Sequence, residues 1–392
     1  MKKEIYLDNA ATTPVSKEVL KEMLPYFTKK YGNPSSFHTK GLEAKNAITN
    51  ARQKISKILN CEQQEIIFTG GGSEANNLAI FGFLKKYANK GKHIITTKIE
   101  HHSVLEGFQY LEKHGFEVTY LNVNKKGIID INDFQKAIKK NTIFASIIYA
   151  NNEIGVIQDI PKIAKICKQH NIVLHTDACQ ATTYLSVDVK KLGVDLMTIN
   201  GSKIYAPKGI GLLYKNKNIE IEPIIYGGGQ EQGLRSGTEN VPGIIGLAKA
   251  LEIAERDREK NIKHTKELSN YFITEILKIP NTILNGDRKQ RLPNNINISF
   301  LNIEGESFLL KLNKYNIYAS TGSACSSYSL EPSHVIMALY NNPEIAHSSI
   351  RFSLGVDNTL EEIKYTIKII NKIVKELRSI SAMNHNLKEV IK

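Results

Sequence analysis

Seven short apolar runs dominate residues 65–215 of this 392-residue chain: EIIFT (65–69), HIITT (93–97), EVTYLNV (117–123), FASIIYA (144–150), IVLHTDA (172–178), VDLMTI (194–199) and GIGLLYK (209–215). Each is strand length, and helix-like stretches separate most of them. Residues 41–59, for instance, carry Ile48, Ala51, Ile55 and Ile58 at helical spacing. Strand and helix in alternation predict an α/β fold with a mostly parallel sheet covered on both faces. A long helix-like run over 244–278 follows, polar in its middle. Beyond it lie strand-like NNINISF and IYAS, a helix near 304–314, and a C-terminal helix with Ile363, Ile367, Ile370, Val374 and Leu377 on one stripe. The expectation is two units: a large α/β unit over 16–255, and a smaller α+β unit formed by 1–15 and 256–392.

The bulk composition is that of an ordinary enzyme, with 41% hydrophobic and 23% charged residues. No run reaches the roughly 18 apolar residues of a membrane span. MKKEIYLDNAATTP has no apolar stretch behind its lysines, so a cytoplasmic protein is expected. The formal charge of +13 comes mostly from lysines interleaved with acids. No nucleic-acid-reading motif accompanies it, and a solvated surface with some pull on acidic partners is the expected reading.

The four cysteines are scattered and form neither a disulfide framework nor a zinc site. Cys61, Cys167 and Cys179 sit in or beside apolar segments and read as small buried hydrophobes. Cys325 differs. It lies in STGSACSSYSLEP, a loop of small and polar residues, where an exposed thiol is a candidate nucleophile.

Asp177 ends an apolar strand, and Lys203 sits in the turn NGSKIYAPKGIG before the next one. A lysine that can hold an aldehyde and a carboxylate that can pair with a pyridinium nitrogen are the two groups a pyridoxal phosphate enzyme needs. Most Asp–Lys pairs are surface charges, so the surrounding pattern matters. FTGGGSEANN places glycines and Ser73 between a strand and a helix, a phosphate cradle, although glycine turns before helices are common. Ser202 could add a hydroxyl. His101 and His102 open a helix after a strand, where a histidine is a cap or, over a cofactor ring, an acid/base. Asn151 and Asn152 stand at a strand's C-terminal end, where ligands gather. Gln180 lies three residues past Asp177. Arg351, in HSSIRFSLG, reads either as a clamp on a substrate carboxylate or as half of an internal salt bridge.

Ten segments, among them YLDNAATTP, GGGSEANN, EHHSVL, HTDACQ, KIYAPKGIG, GGGQEQGLRSGTENV and STGSACSSYSLEPSHV, resemble in order the signatures of cysteine desulfurases of the NifS/IscS type. The likeness runs from about residue 4 to 380. It implies the fold-type I architecture of pyridoxal phosphate enzymes, and conversion of L-cysteine to L-alanine with a persulfide left on the enzyme. It implies that Lys203 holds the cofactor's aldehyde, that Asp177 pairs with its ring nitrogen, and that His101 stacks on the ring as acid/base. Gln180 and Asn152 would touch the ring side. Gly72, Ser73, Ser202 and, from a neighbouring subunit, Thr238 would hold the phosphate, and Asn200 and Gly201 would also bind the cofactor. Arg351, with Asn152, would bind the substrate, and Cys325 would take the sulfur.

The resemblance also implies a homodimer and sulfur acceptors such as an iron–sulfur scaffold or tRNA-thiolation enzymes. No intrinsic metal is implied, although Cys325 could ligate a partner's cluster transiently. A selenocysteine lyase or a cysteine sulfinate desulfinase of the same fold is the alternative. Two positions depart from the family's GHKIYGPKG pattern: Ser202 stands where histidine is usual, and Ala206 replaces glycine.

Overall fold

The computed structural model describes residues 4–322 and 331–381. A two-residue strand β1 (Ile5–Tyr6) opens the chain. The large sheet follows: β2 (Ile66–Thr69), β3 (His93–Thr97), β4 (Glu117–Leu121), β5 (Thr142–Ser146), β6 (Val173–Asp177), β7 (Leu196–Asn200) and β8 (Gly211–Lys215), in the order β2-β8-β7-β6-β5-β3-β4. Every apolar run named above contributes a strand. The five strands β7-β6-β5-β3-β4 are parallel, whereas β8 runs antiparallel to both of its neighbours. Its direction follows from its connection. The link from Asn200 to Gly211 is too short for a parallel crossover, which needs a dozen or more residues.

Strand alternation divides the apolar side chains between two layers. Ile66, Phe68, Ala145, Leu174, Met197 and Leu212 join the cluster on one face. Ile67, Phe144, Leu196 and Leu213 join Leu78, Phe83 and Phe108 on the other. Burial on both faces explains why these strands read as continuous apolar runs.

The rest of the chain builds β9 (Thr282–Leu284), β10 (Asn295–Phe300), β11 (Ile317–Tyr318) and β12 (Ser349–Ser353). Strands β12-β10-β9 form an antiparallel sheet, and β1 pairs with β11. The helix Val241–Ile276 links the two regions. Its first half packs Ile244, Leu247 and Leu251 into the first cluster, and its last turns carry Phe272 and Ile276 into a third with Phe300, Phe308, Phe352 and Ile370. Strands β9 and β12 are not apparent in the sequence, because their runs are short and polar residues flank the few apolar ones. Among the described residues, no helix is long and apolar enough to cross a membrane, and no cluster of His, Cys, Asp or Glu is arranged to hold a metal.

Candidate active site

Parallel pairing of β6 with β7 sets Asp177 opposite Thr198, so the carboxyl ends of both strands open on one cavity of about 270 Å³. Asp177 is buried there. Its Oδ1 accepts from the Cys179 amide at 2.9 Å and its Oδ2 from Asn76 Nδ2 at 2.8 Å. Acceptance from two donors suits an ionised carboxylate. Immediately after β7, Asn200 caps a single 3₁₀ turn, Gly201–Lys203, which turns Lys203 into the same cavity. Its Nζ donates to the carbonyl of Ala11. Gly201 has no room for a side chain, since a Cβ would lie 2.8 Å from Ile210 Cγ2.

Gly71 caps the helix Gly72–Tyr87 without a side-chain hydrogen bond, and Gly72 and Ser73 line the cavity at that helix start. An uncapped helix N-terminus presents amide N–H groups and a partial positive charge, the features that seat an anion. A Cβ on Gly72 would meet Cys179 Sγ at 2.8 Å. His101 lines the cavity as the N-cap of the helix His102–Lys113, its Nδ1 accepting from the Ser103 amide at 3.1 Å. Burial holds its imidazole below the ordinary range; Lys203 and His102 act in the same direction, and Asp177 and Glu153 oppose them.

Gln180, Asn152, Asn200 and Arg351 also line the cavity. Gln180 Nε2 donates to the Ala10 carbonyl at 2.9 Å. Asn151, by contrast, is a turn residue: its Oδ1 accepts from the amides of Glu153 and Ile154. Both readings of Arg351 meet in its geometry. Its Nη2 pairs with Asp8 Oδ1 at 2.9 Å, so the internal salt bridge is present. Its Nη1 donates to the carbonyls of Asn152 and Gly322, at 3.1 and 3.3 Å, while its buried Nε has no partner among the described residues.

Three of the expected residues are not among those lining this chain's cavity, and a fourth lies outside the described residues. Gly201 and Ser202 do not line the cavity, and the Ser202 carbonyl instead accepts from Thr13 Oγ1 and the Thr13 amide. Thr238, expected to serve a neighbouring subunit's site, is exposed and does not line this chain's own cavity. Cys325 lies outside the described residues. Cys179, read from the sequence as a small buried hydrophobe, is buried and also borders the cavity; burial and then the Asp177 charge raise its thiol well above the ordinary range. Asp8, Asn76 and Ser103 were not singled out in the sequence. Nothing local ties them to the site, because Asp8 pairs with Arg351 and Asn76 with Asp177, and Ser103 meets Asn76 from another helix.

Beside the site, the Glu100 carboxyl is fully buried. Its Oε1 accepts from the Ile148 amide and Thr97 Oγ1, both at 2.8 Å, and its Oε2 has no partner among the described residues. Burial pushes it up to about 8, from an ordinary 4.5. The native chain therefore keeps a proton that the unfolded chain releases near pH 4.5, and stability falls as pH rises through that window. Glu100→Gln lacks this titration. Relative to the unmutated protein, the variant should gain on the order of 2–4 kcal/mol between about pH 5 and pH 8. Thermal or urea unfolding at both pH values checks it, and a pH-independent difference would refute it.

The arrangement fits pyridoxal phosphate. A buried carboxylate, a lysine amine, an imidazole and an uncapped helix start face one cavity. Asn76 Oδ1, Asn152 Oδ1 and Arg351 Nε, all from residues lining it, are buried without partners among the described residues. Buried polar atoms are ordinarily satisfied, so orphans gathered at one cavity point to a ligand.

Comparison with known proteins agrees with this geometry. Residues 5–366 match the family model for aminotransferase class-V. The chain is 52% identical over 382 residues to the cysteine desulfurase IscS of Dictyoglomus turgidum, covering 97% of each. It is 50% identical to that of Methanosarcina thermophila, covering 97% of this chain and 94% of that one. Among solved structures, a NifS-like protein superposes with a TM-score of 0.90 at 36% identity, covering 95% of this chain and all of that one. SspA in complex with cysteine superposes at 0.80 with 37% identity, over 90% of this chain and 99% of that one. With its architecture, its cavity and these likenesses in agreement, the chain belongs to the aminotransferase class-V family, among the cysteine desulfurases.

Proposed function

We propose that this protein converts L-cysteine to L-alanine and retains the sulfur as a persulfide on Cys325. The observation that carries the reading is the convergence of Lys203, Asp177, His101 and Arg351 on one cavity, in a chain half identical to named desulfurases. Bound there, pyridoxal phosphate would supply an electron sink for the bonds at the substrate's α- and β-carbons. Asp177 would hold the protonated ring nitrogen. The helix start at Gly72 and Ser73 would seat the phosphate, with Asn200 beside it. Gln180 and Asn152 would border the ring. Arg351, held in place by Asp8, would offer its Nε–H, which has no partner among the described residues, to the substrate carboxylate, and Lys203 would move the proton at the α-carbon. The substrate's C–S bond breaks, its sulfur passes to the Cys325 thiolate, and the carbon skeleton leaves as alanine. The atoms balance: a thiol becomes a persulfide, and cysteine becomes alanine.

The test is incubation of the holoenzyme with L-cysteine. Alanine and enzyme-bound sulfane sulfur should appear in equal amounts. Pyruvate and ammonia, or unchanged cysteine, would sink the reading. Selenocysteine lyase and sulfinate desulfinase activities need no reactive thiol, so they are the weaker alternative. A cytoplasmic enzyme that passes sulfur to an iron–sulfur scaffold or to tRNA-thiolation enzymes suits the persulfide product.

The reading includes a homodimer in which Thr238 of the partner subunit completes the phosphate seat. Phe37 is 96% exposed, and Leu24, Phe27 and Tyr31 are each more than half exposed along the same N-terminal segment, an apolar surface suited to burial against a second copy. Beside Thr238, the buried Oε2 of Glu239 has no partner among the described residues. Sedimentation should give a two-fold assembly, and Thr238→Val should weaken cofactor retention. A fully active monomer at low concentration would rule this out.

A further inference from the structure

The hydrogen positions around His101 follow from its partners. Its Nδ1 lies 3.1 Å from the Ser103 amide nitrogen and 2.8 Å from Ser103 Oγ. An amide N–H can only donate, so Nδ1 accepts, and a neutral ring carries its proton on Nε2. The Ser103 hydroxyl is oriented from the other end. Asn76 Nδ2 gives one hydrogen to Asp177 Oδ2 at 2.8 Å and the other to Ser103 Oγ at 2.9 Å. With its oxygen accepting from Asn76, the Ser103 O–H turns to Nδ1. A directed chain thus runs from the Asp177 carboxylate through the Asn76 amide and the Ser103 hydroxyl to the imidazole, and all four residues line the cavity.

A cationic His101 would set its Nδ1–H against the Ser103 N–H at the positive end of a helix, which disfavours that form. The charged or titratable groups around the ring are Asp177, Glu153, Lys203 and His102. Its Nε2 has no hydrogen-bond partner among the described residues.

We propose that Asn76 and Ser103 are positioning residues that hold His101 as a neutral imidazole presenting Nε2–H to the cavity. His101 then serves the reaction as a hydrogen-bond donor, and proton transfer is left to Lys203. This differs from the acid/base role that the family resemblance implies for His101, and it rests on the desulfurase reading above.

The test uses the full-length holoenzyme labelled with ¹⁵N-histidine, the His101 signals being those missing from His101→Gln. Nε2 should carry the proton and Nδ1 should appear as an acceptor across the pH range in which the enzyme is active. Ser103→Ala removes one donor to Nδ1, so the His101 titration should move upward, and Ser103→Thr should restore it. Because a donor is required, and not a base, His101→Gln should form alanine on the order of tenfold faster than His101→Leu. Three results would overturn the proposal: a protonated Nδ1 in that pH range, His101 signals and titration unmoved in Ser103→Ala, or a Gln variant no faster than the Leu variant. Failure of the unmutated enzyme to form alanine would instead strike the desulfurase reading, and the tautomer would still be measurable.

Discussion

Lys203→Ala is expected to lower alanine formation from L-cysteine by about a thousandfold or more. The size follows from two functions meeting in one amine. The 3₁₀ turn Gly201–Lys203 aims it into the cavity that Asp177 borders, where it would both anchor the cofactor and move the substrate's α-proton. Substitution leaves the surroundings in place. The turn is capped by Asn200, whose Oδ1 accepts from the Ser202 amide at 3.3 Å, and the strand ends at Asp177 and Asn200 depend on sheet pairing and not on the lysine. The protein should therefore fold and keep its melting temperature within a few degrees, which separates lost chemistry from lost structure. Two measurements check it: coupled detection of alanine, and mass spectrometry after borohydride reduction, which should find no cofactor joined to the chain. Cofactor joined to another lysine, with alanine still formed, would defeat the assignment.

Cys325→Ser should be nearly as damaging to turnover and should spare binding. Arg351, Lys203 and Asp177 are untouched, so cysteine should still be bound with little change in KM, while kcat falls by about a hundredfold or more and no persulfide forms. The control is Cys179→Ser. Cys179 is the described thiol that borders the cavity, but burial, and after it the Asp177 charge, keep it protonated, and a thiol is a poor nucleophile. That variant should retain persulfide formation. If Cys325→Ser made persulfide at the unmutated rate and Cys179→Ser did not, the roles would be reversed.

The parts of the site visible in the sequence are those whose environment is local. Asp177 is marked by the strand that ends on it, Lys203 by the turn between two strands, and Gly72 and Ser73 by a glycine run before a helix. Each depends on backbone choices made within a few residues. Arg351 shows the opposite case. Its arginine in an apolar run signals a buried cation, but its partner Asp8 is 343 positions away, and no periodicity reports that. Asn76 and Ser103 are similar: one lies in the second turn of a helix and the other just after an N-cap, and only sheet order brings both beside Asp177.

By itself, then, the sequence determined the alternation of strand and helix, the burial of the sheet on both faces, and the identity of the lysine and carboxylate at its edge. Short-range patterns encode these, since side-chain direction alternates along a strand and turn chemistry is confined to a few residues. Tertiary structure alone decided the reversed direction of β8, the Asp8–Arg351 pair, the place of Cys179 at the cavity, and the chain of hydrogen bonds that orients His101. Each of those joins segments far apart along the chain. Their positions are set by which faces must be buried together, and that condition is met only when the whole fold closes.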